Sequence, residues 1–202
     1  MNRGRLIAFE GLDGSGKSTQ ITRLAESLRK GGHELVVTAE PTRGDHGLRI
    51  RAMALGRLPP IPPEEELRWF VEDRREHVAA CIAPALAAGR SVLTDRYFLS
   101  TVAYQGANGL DPSRILAQSE AEFPIPDLVL LLEIDVETAL ARVRTRGARV
   151  ESAFEARERL ERVAKIFREM ERPYLARIDG SQGTDAVELA IAAEVRARLD
   201  LP

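Results

Sequence analysis

"GLDGSGKS" occupies residues 11–18, directly after the apolar run "LIAF" (6–9) and directly before "TQITRLAESL" (19–28). Gly11, Gly16, Lys17 and Ser18 meet the pattern G-x-x-x-x-G-K-[ST]. Such glycines let successive backbone N–H groups turn towards one centre, and a helix starting near Lys17 adds its positive dipole end. The stretch therefore reads as a polyphosphate cradle. Lys17 reaches the β- and γ-phosphates and the Ser18 hydroxyl ligates Mg²⁺. Asp13 is unusual in such a loop. A carboxylate beside phosphates needs a compensating partner, a sugar hydroxyl or the metal shell; the plain alternative is that Asp-Gly is a common turn pair.

Outward from the loop, short apolar runs alternate with helical stretches. "LIAF" (6–9), "LVVT" (35–38), "SVLT" (91–94) and "LVLLLEI" (128–134) read as buried strands, with a weaker fifth around "ARID" (176–179). Helical patterns cover 17–30, 64–88, 136–146 and 154–175, with a last one near 184–199. Gly31-Gly32 ends the first, "PPIPP" (59–63) is a rigid approach to the acidic start of the second, and Pro84 is expected to kink or end it. The expected class is α/β: a three-layer sandwich with a five-stranded parallel sheet, forming one domain over residues 1–202.

The chain has 202 residues, with 29 basic and 31 acidic ones and a net charge of −2. That balance argues against duplex nucleic acid or an anionic membrane as the main partner. The single cysteine, Cys81, fits a reducing compartment and is expected to be a small buried hydrophobe. "MNRGRLIAFEG" runs straight into a strand with no room for a signal peptide, so a cytoplasmic protein is expected.

Three further groups carry charge chemistry. Asp95-Arg96-Tyr97 follows the strand "SVLT", where ligands of open parallel sheets gather. Asp95 suits Mg²⁺ or its water shell and Arg96 a phosphate, unless the two form a surface pair. Leu67, Phe70, Val71, Val78 and Ile82 trace an apolar stripe on which Arg74 also falls. A buried arginine needs an anion or a carboxylate; Arg74 either snorkels to the surface or faces a ligand with Phe70 beside it. Arg142, Arg144, Arg146 and Arg149 lie within "ALARVRTRGARVE", which reads either as a solvated helix face or as a basic loop, interrupted at Gly147, that stabilises a transferring phosphoryl group.

Taken together, "FEGLDGSGKST" (9–19), "EPT" (40–42), "FVEDRREHV" (70–78), "PALAAG" (84–89), "DRYFLSTVAYQGANG" (95–109), "PDLVLLLEI" (126–134) and "FE" (154–155) resemble the thymidylate kinases, a family of P-loop nucleoside monophosphate kinases. The resemblance implies transfer of the γ-phosphoryl of ATP to dTMP with Mg²⁺, in a homodimer, and it assigns roles. Gly11, Leu12, Asp13, Gly14, Ser15, Gly16, Lys17, Ser18 and Thr19, with Arg142, would hold ATP. Ser18 and Asp95 would serve the metal. Asp13 would bind the acceptor 3′-hydroxyl, Phe70 would stack on thymine and Arg74 would contact the base edge. Arg96 would hold the monophosphate, Ser100, Thr101 and Gln105 would line the base pocket, and Tyr104 would exclude a 2′-hydroxyl. Many bacterial members carry Gly-Gly after "EP" where this chain has "EPTRGDHG"; Pro41 and Arg43 of that loop are placed against the acceptor. Position 14 is Gly rather than Arg, so the catalytic arginine would come from a lid at about 142–153: Arg146 first, then Arg149 and Arg142. Lys17 and Arg96 complete the expected catalytic set.

Other P-loop classes fit less well. A guanine-reading switch needs Asn-Lys-x-Asp, but Asn2 and Asn108 are the only asparagines and neither precedes Lys. A transport ATPase needs a Ser-Gly-Gly signature that is absent. A deoxynucleoside kinase would not need two arginines converging on an acceptor phosphate.

Overall fold

Five parallel strands form one sheet in the order β2-β3-β1-β4-β5: β1 (Leu6–Gly11), β2 (Leu35–Ala39), β3 (Ser91–Asp95), β4 (Leu128–Glu133) and β5 (Leu175–Asp179). The computed structural model describes residues 4–145, 153–199 and 201. Alternate side chains of each strand enter different cores. Leu6 and Ala8 of β1, with Val129 and Leu131 of β4, join one; Ile7, Phe9, Leu128, Leu130 and Leu132 join the other. Helices cover both faces, as expected for strands that read as unbroken apolar runs. The α/β three-layer expectation holds.

One face packs α1 (Lys17–Lys30) and α9 (Thr184–Leu199). The other carries α3 (Pro63–His77), α5 (Phe98–Ala107), α6 (Pro112–Glu122) and α8 (Ala153–Glu169). The remaining helices are α2 (Asp45–Ala54), α4 (Ala83–Ala87) and α7 (Val136–Thr145). Helix α1 starts after Gly16 at φ 99°, with no side-chain cap and no acid in its first turn, so its N-terminal N–H groups stay open to a ligand.

The expected helix over 64–88 is interrupted. A π turn spans Val78–Ile82, and the Ala83 N–H donates to the Val78 carbonyl one residue before Pro84. The widened register spares the proline ring the clash an α-helix would impose. Two other expectations need correction. Helix α8 stops at Glu169, short of residue 175, because β5 begins at Leu175; Cys81, in the π turn, is half-buried and not a core residue. Helices α2, α5 and α6 were not anticipated.

Leu130 is fully buried, registered against Phe9 of β1 and Ala176 of β5. Leu130→Ala should lower unfolding stability by about 3 kcal/mol, read as a fall in the urea midpoint at unchanged slope; a loss below about 1 kcal/mol would contradict this packing.

Candidate active site

The phosphate loop turns at Gly11, Gly14 and Gly16, whose φ angles are 133°, 87° and 99°. These lie in the left-handed region open to glycine. A Cβ at Gly11 would come 2.4 Å from the Leu132 carbonyl oxygen, and one at Gly14 would come 2.8 Å from that of Ala139. The Lys17 ammonium donates to the carbonyls of Gly11 (3.1 Å) and Leu12 (2.9 Å) inside the loop. Burial pulls its pKa down to about 8; Arg96 pushes the same way, and Asp95, Asp13 and Glu10 oppose. Ser15 and Leu12 are buried with the loop, while Thr19 is exposed on the first turn of α1.

The expected metal pair is brought together. The Ser18 hydroxyl donates to Asp95 Oδ2 at 2.8 Å, joining the start of α1 to the end of β3. Among the described residues no cluster of three or more His, Cys, Asp or Glu could cage a metal. One hydroxyl and one carboxylate are instead a hard-oxygen set that suits Mg²⁺ completed by water and phosphate oxygens.

Arg96 follows with φ 71°, the only non-glycine among the described residues at positive φ. Its backbone N–H donates to the Phe9 carbonyl at 2.9 Å, and its carbonyl accepts from Thr94 Oγ1 at 2.8 Å. Those two bonds hold an otherwise costly conformation. The guanidinium then reaches three groups: Nη1 donates to Ser100 Oγ (2.8 Å), and Nη2 to Asp13 Oδ1 (2.7 Å) and the Tyr104 hydroxyl (3.3 Å). It also lies 5.0 Å from the Tyr104 ring centre. Asp13, Arg96, Ser100 and Tyr104 thus form one patch beside the phosphate loop.

Arg74 does not snorkel; it is 1% exposed. Nε (2.9 Å) and Nη2 (2.6 Å) both donate to Glu40 Oε2, and Nη2 also donates to Thr101 Oγ1 at 2.9 Å. The guanidinium sits 5.3 Å from the Tyr97 ring centre and 5.4 Å from that of Phe123. Behind it, His77 bridges Glu40 Oε1 (3.0 Å) and Thr38 Oγ1 (2.7 Å). Among the described residues Arg74 Nη1 and Gln105 Nε2 are buried without a partner. Of the apolar stripe, Leu67, Val71, Val78 and Ile82 pack in or on the core, whereas Phe70 is half-buried and does not join it.

The loop after β2 is tied down as well. Asp73, buried on α3, accepts from the backbone N–H (2.8 Å) and hydroxyl of Thr42. Arg51 donates to the carbonyls of Pro41 and Thr42. Pro41 is half-buried, and Arg43 is exposed. On the other side, Arg142 Nη1 donates to the carbonyls of Gly14 (3.2 Å) and Gly180 (3.3 Å), clamping the loop after β5 to the phosphate loop. Arg146 and Arg149 lie outside the described residues. A cavity of about 470 Å³ opens among the ends of β1, β4 and β5 and helix α8, but its lining includes neither Arg74 nor Arg96.

Sequence reasoning gave no role to Glu40, Asp73 or His77, nor to Glu10. Glu10 is wholly buried and accepts from the backbone N–H groups of Tyr97 (2.9 Å) and Ser100 (3.0 Å) and from the Ser100 hydroxyl. Burial pushes its pKa up to about 7, against the opposing pull of the Ser100 hydroxyl, the Arg96 charge and the two N–H groups. The available signal was an acid inside an apolar strand.

A strand, a glycine-rich phosphate loop and an uncapped helix, faced by an arginine at the end of the neighbouring strand, define a P-loop phosphotransferase. The family model described as thymidylate kinase matches residues 9–191. The thymidylate kinase of Desulfotalea psychrophila is 44% identical over 200 residues, 99% of this chain and 98% of the relative. That of Akkermansia muciniphila is 46% identical, covering 98% and 93%, and that of Xanthomonas campestris 45%, covering 97% and 85%. The chain belongs to the thymidylate kinase family.

Glu10 also makes a pH test of the geometry. Its folded pKa, about 7, lies above the unfolded value of 4.5. The folded state therefore binds more protons between these values, and this group's contribution to stability falls as pH rises through that window. Glu10→Gln lacks the titration, so its stability relative to the parent should rise by up to about 3 kcal/mol from pH 4.5 to pH 8. Urea unfolding of both proteins at the two pH values reads the difference; a pH-independent difference would count against a buried carboxylate.

Proposed function

We propose that the protein transfers the γ-phosphoryl group of ATP to dTMP, giving ADP and dTDP, with the whole chain acting as one catalytic unit. The observation that carries this reading is the pair of bridges Ser18–Asp95 (2.8 Å) and Asp13–Arg96 (2.7 Å). They join a triphosphate cradle at the end of β1 to a second anion site at the end of β3. An acceptor phosphate oxygen attacks the γ-phosphorus, and the bond to the β-phosphate oxygen breaks, with no covalent enzyme intermediate. Ser18 and Asp95 would hold Mg²⁺, which offsets phosphate charge when bound. The protein's part is alignment and charge: Lys17 on the donor phosphates and Arg96 on the acceptor phosphate.

The acceptor base fits the other side chains. Arg74 Nη1 and Gln105 Nε2 are buried donors with no acceptor among the described residues, a need that the carbonyl oxygens of a pyrimidine would meet. Phe70, outside the core, offers a face for stacking. Asp13 and Tyr104, both on Arg96, suit a 3′-hydroxyl and a 2′-deoxy edge. Gly14 leaves no room for a side chain in the loop, and Arg142 already binds loop carbonyls. The family resemblance then points to the lid for the catalytic arginine: Arg146 first, then Arg149 and Arg142. Cys81 as the only cysteine suits the cytoplasm. Exposed Leu48, Leu55 and Leu58 supply apolar surface for a homodimer. Among the described residues no helix is long and apolar enough to cross a membrane.

A coupled ADP-release assay over a panel of nucleoside monophosphates tests the reading: dTMP should give the highest kcat/KM, and a clear preference for a purine monophosphate would overturn it. Lys17→Ala should lower kcat by ~10²–10³-fold with unchanged folding. Phe70→Ala should raise the dTMP KM by ~10-fold at little cost in stability, with the ATP KM within about twofold; the reverse pattern would exchange the two pockets.

A further inference from the structure

We propose that Glu10 is a positioning residue for phosphoryl transfer: from inside β1 it holds the first turn of α5 and, through Ser100, aims Arg96 at the acceptor phosphate. The inference rests on the acceptor reading above. Its basis is a chain of contacts that starts at a wholly buried carboxylate and ends on the Arg96 guanidinium.

Helix α5 has no side-chain cap of its own at Tyr97. Two of the N–H groups there, those of Tyr97 and Ser100, go to Glu10 Oε1, so a strand carboxylate caps the helix from 87 and 90 residues away. The second oxygen accepts the Ser100 hydroxyl proton. With its proton committed to Glu10, Ser100 Oγ turns lone-pair density towards Arg96 Nη1 at 2.8 Å. Arg96 sits between these elements at φ 71° and is held there from both sides. The path Glu10–Ser100–Arg96 therefore fixes the guanidinium through hydrogen-bond polarity, not bulk.

Glutamine keeps the volume and one acceptor oxygen but reverses that polarity. Its amide nitrogen would donate to Ser100 Oγ, which would then face two donors and have no acceptor for its own proton. A merely structural role and a positioning role give opposite results for this variant at pH 8. The first predicts loss of stability with activity following it; the second predicts a protein at least as stable as the parent that handles its acceptor badly.

The experiment compares parent, Glu10→Gln, Arg96→Lys and the double variant at pH 8, each by steady-state kinetics and urea unfolding. Expected for Glu10→Gln are a dTMP KM raised ~10-fold, kcat lowered ~10-fold, an ATP KM within about twofold and stability not below the parent. In the Arg96→Lys background the same change should have less than about a threefold effect. Parent-like kinetics, an equal effect in both backgrounds, or an activity loss that tracks a loss of stability would each overturn the proposal. Should Glu10→Gln fail to fold, Ser100→Ala cuts only the link to Arg96: a raised dTMP KM that is non-additive with Arg96→Lys supports it, and an unchanged KM overturns it. Should the parent prefer another monophosphate, the acceptor assignment fails, and the same comparison made on that monophosphate still decides the role of Glu10.

Discussion

Two cations, Lys17 and Arg96, lie close together at the site: burial first, and the Arg96 charge second, depress the lysine's basicity, and nearby carboxylates oppose both. A protein with no anionic ligand would not bring them together without compensation. Here compensation comes from three carboxylates on separate elements: Glu10 at the end of β1, Asp13 in the phosphate loop and Asp95 at the end of β3. Asp13 pairs directly with Arg96, and Asp95 accepts from Ser18. The parallel pairing of β1 with β3, Phe9 opposite Asp95, puts all of these groups at the carboxyl ends of neighbouring central strands. Charge that is costly in the free protein is arranged in advance for phosphates that would otherwise repel each other.

Much of this was legible because its signals are local. A loop of eight residues between an apolar strand and an amphipathic helix specifies its own geometry, and Gly16, Lys17 and Ser18 lie where that pattern put them. The four strong strands were visible as apolar runs because a doubly covered sheet needs them. Helix α5 was not visible as a stripe: Phe98 to Ala103, Gln105 and Ala107 are all buried, so no solvated face interrupts the run. Helix α2 fails for the opposite reason, with only Gly47 and Ile50 buried.

The polar network was legible only in half. A buried arginine at position 74 demanded an anion, and the demand was right; its partner, Glu40, lies 34 residues earlier on another element. Nothing in local spacing selects Glu40 over the other acids of the chain. Glu10 shows the same limit. Its burial follows from its strand, but its donors are 87 and 90 residues away, and only the sheet order brings them within reach.

In the reading proposed above, the two sides of the site are prepared to different degrees. On the side proposed for the acceptor, Glu40, Thr101 and the two flanking rings leave Arg74 a single nitrogen without a partner among the described residues, and Asp73 with Arg51 pins the Pro41–Thr42 backbone. A Cβ at Gly47 would approach the Thr42 carbonyl oxygen to 2.3 Å, so the loop and α2 are packed backbone to backbone. Little ordering remains for an acceptor to impose, which favours tight and selective binding. On the donor side, the Lys17 ammonium is bonded to the carbonyls of its own loop, and an incoming polyphosphate must draw it away. Donor binding therefore exchanges existing hydrogen bonds for new ones, and its net gain is the smaller difference between them. A site with a rigid acceptor pocket and an exchangeable donor cradle places selectivity on the nucleotide that must be told apart from its relatives.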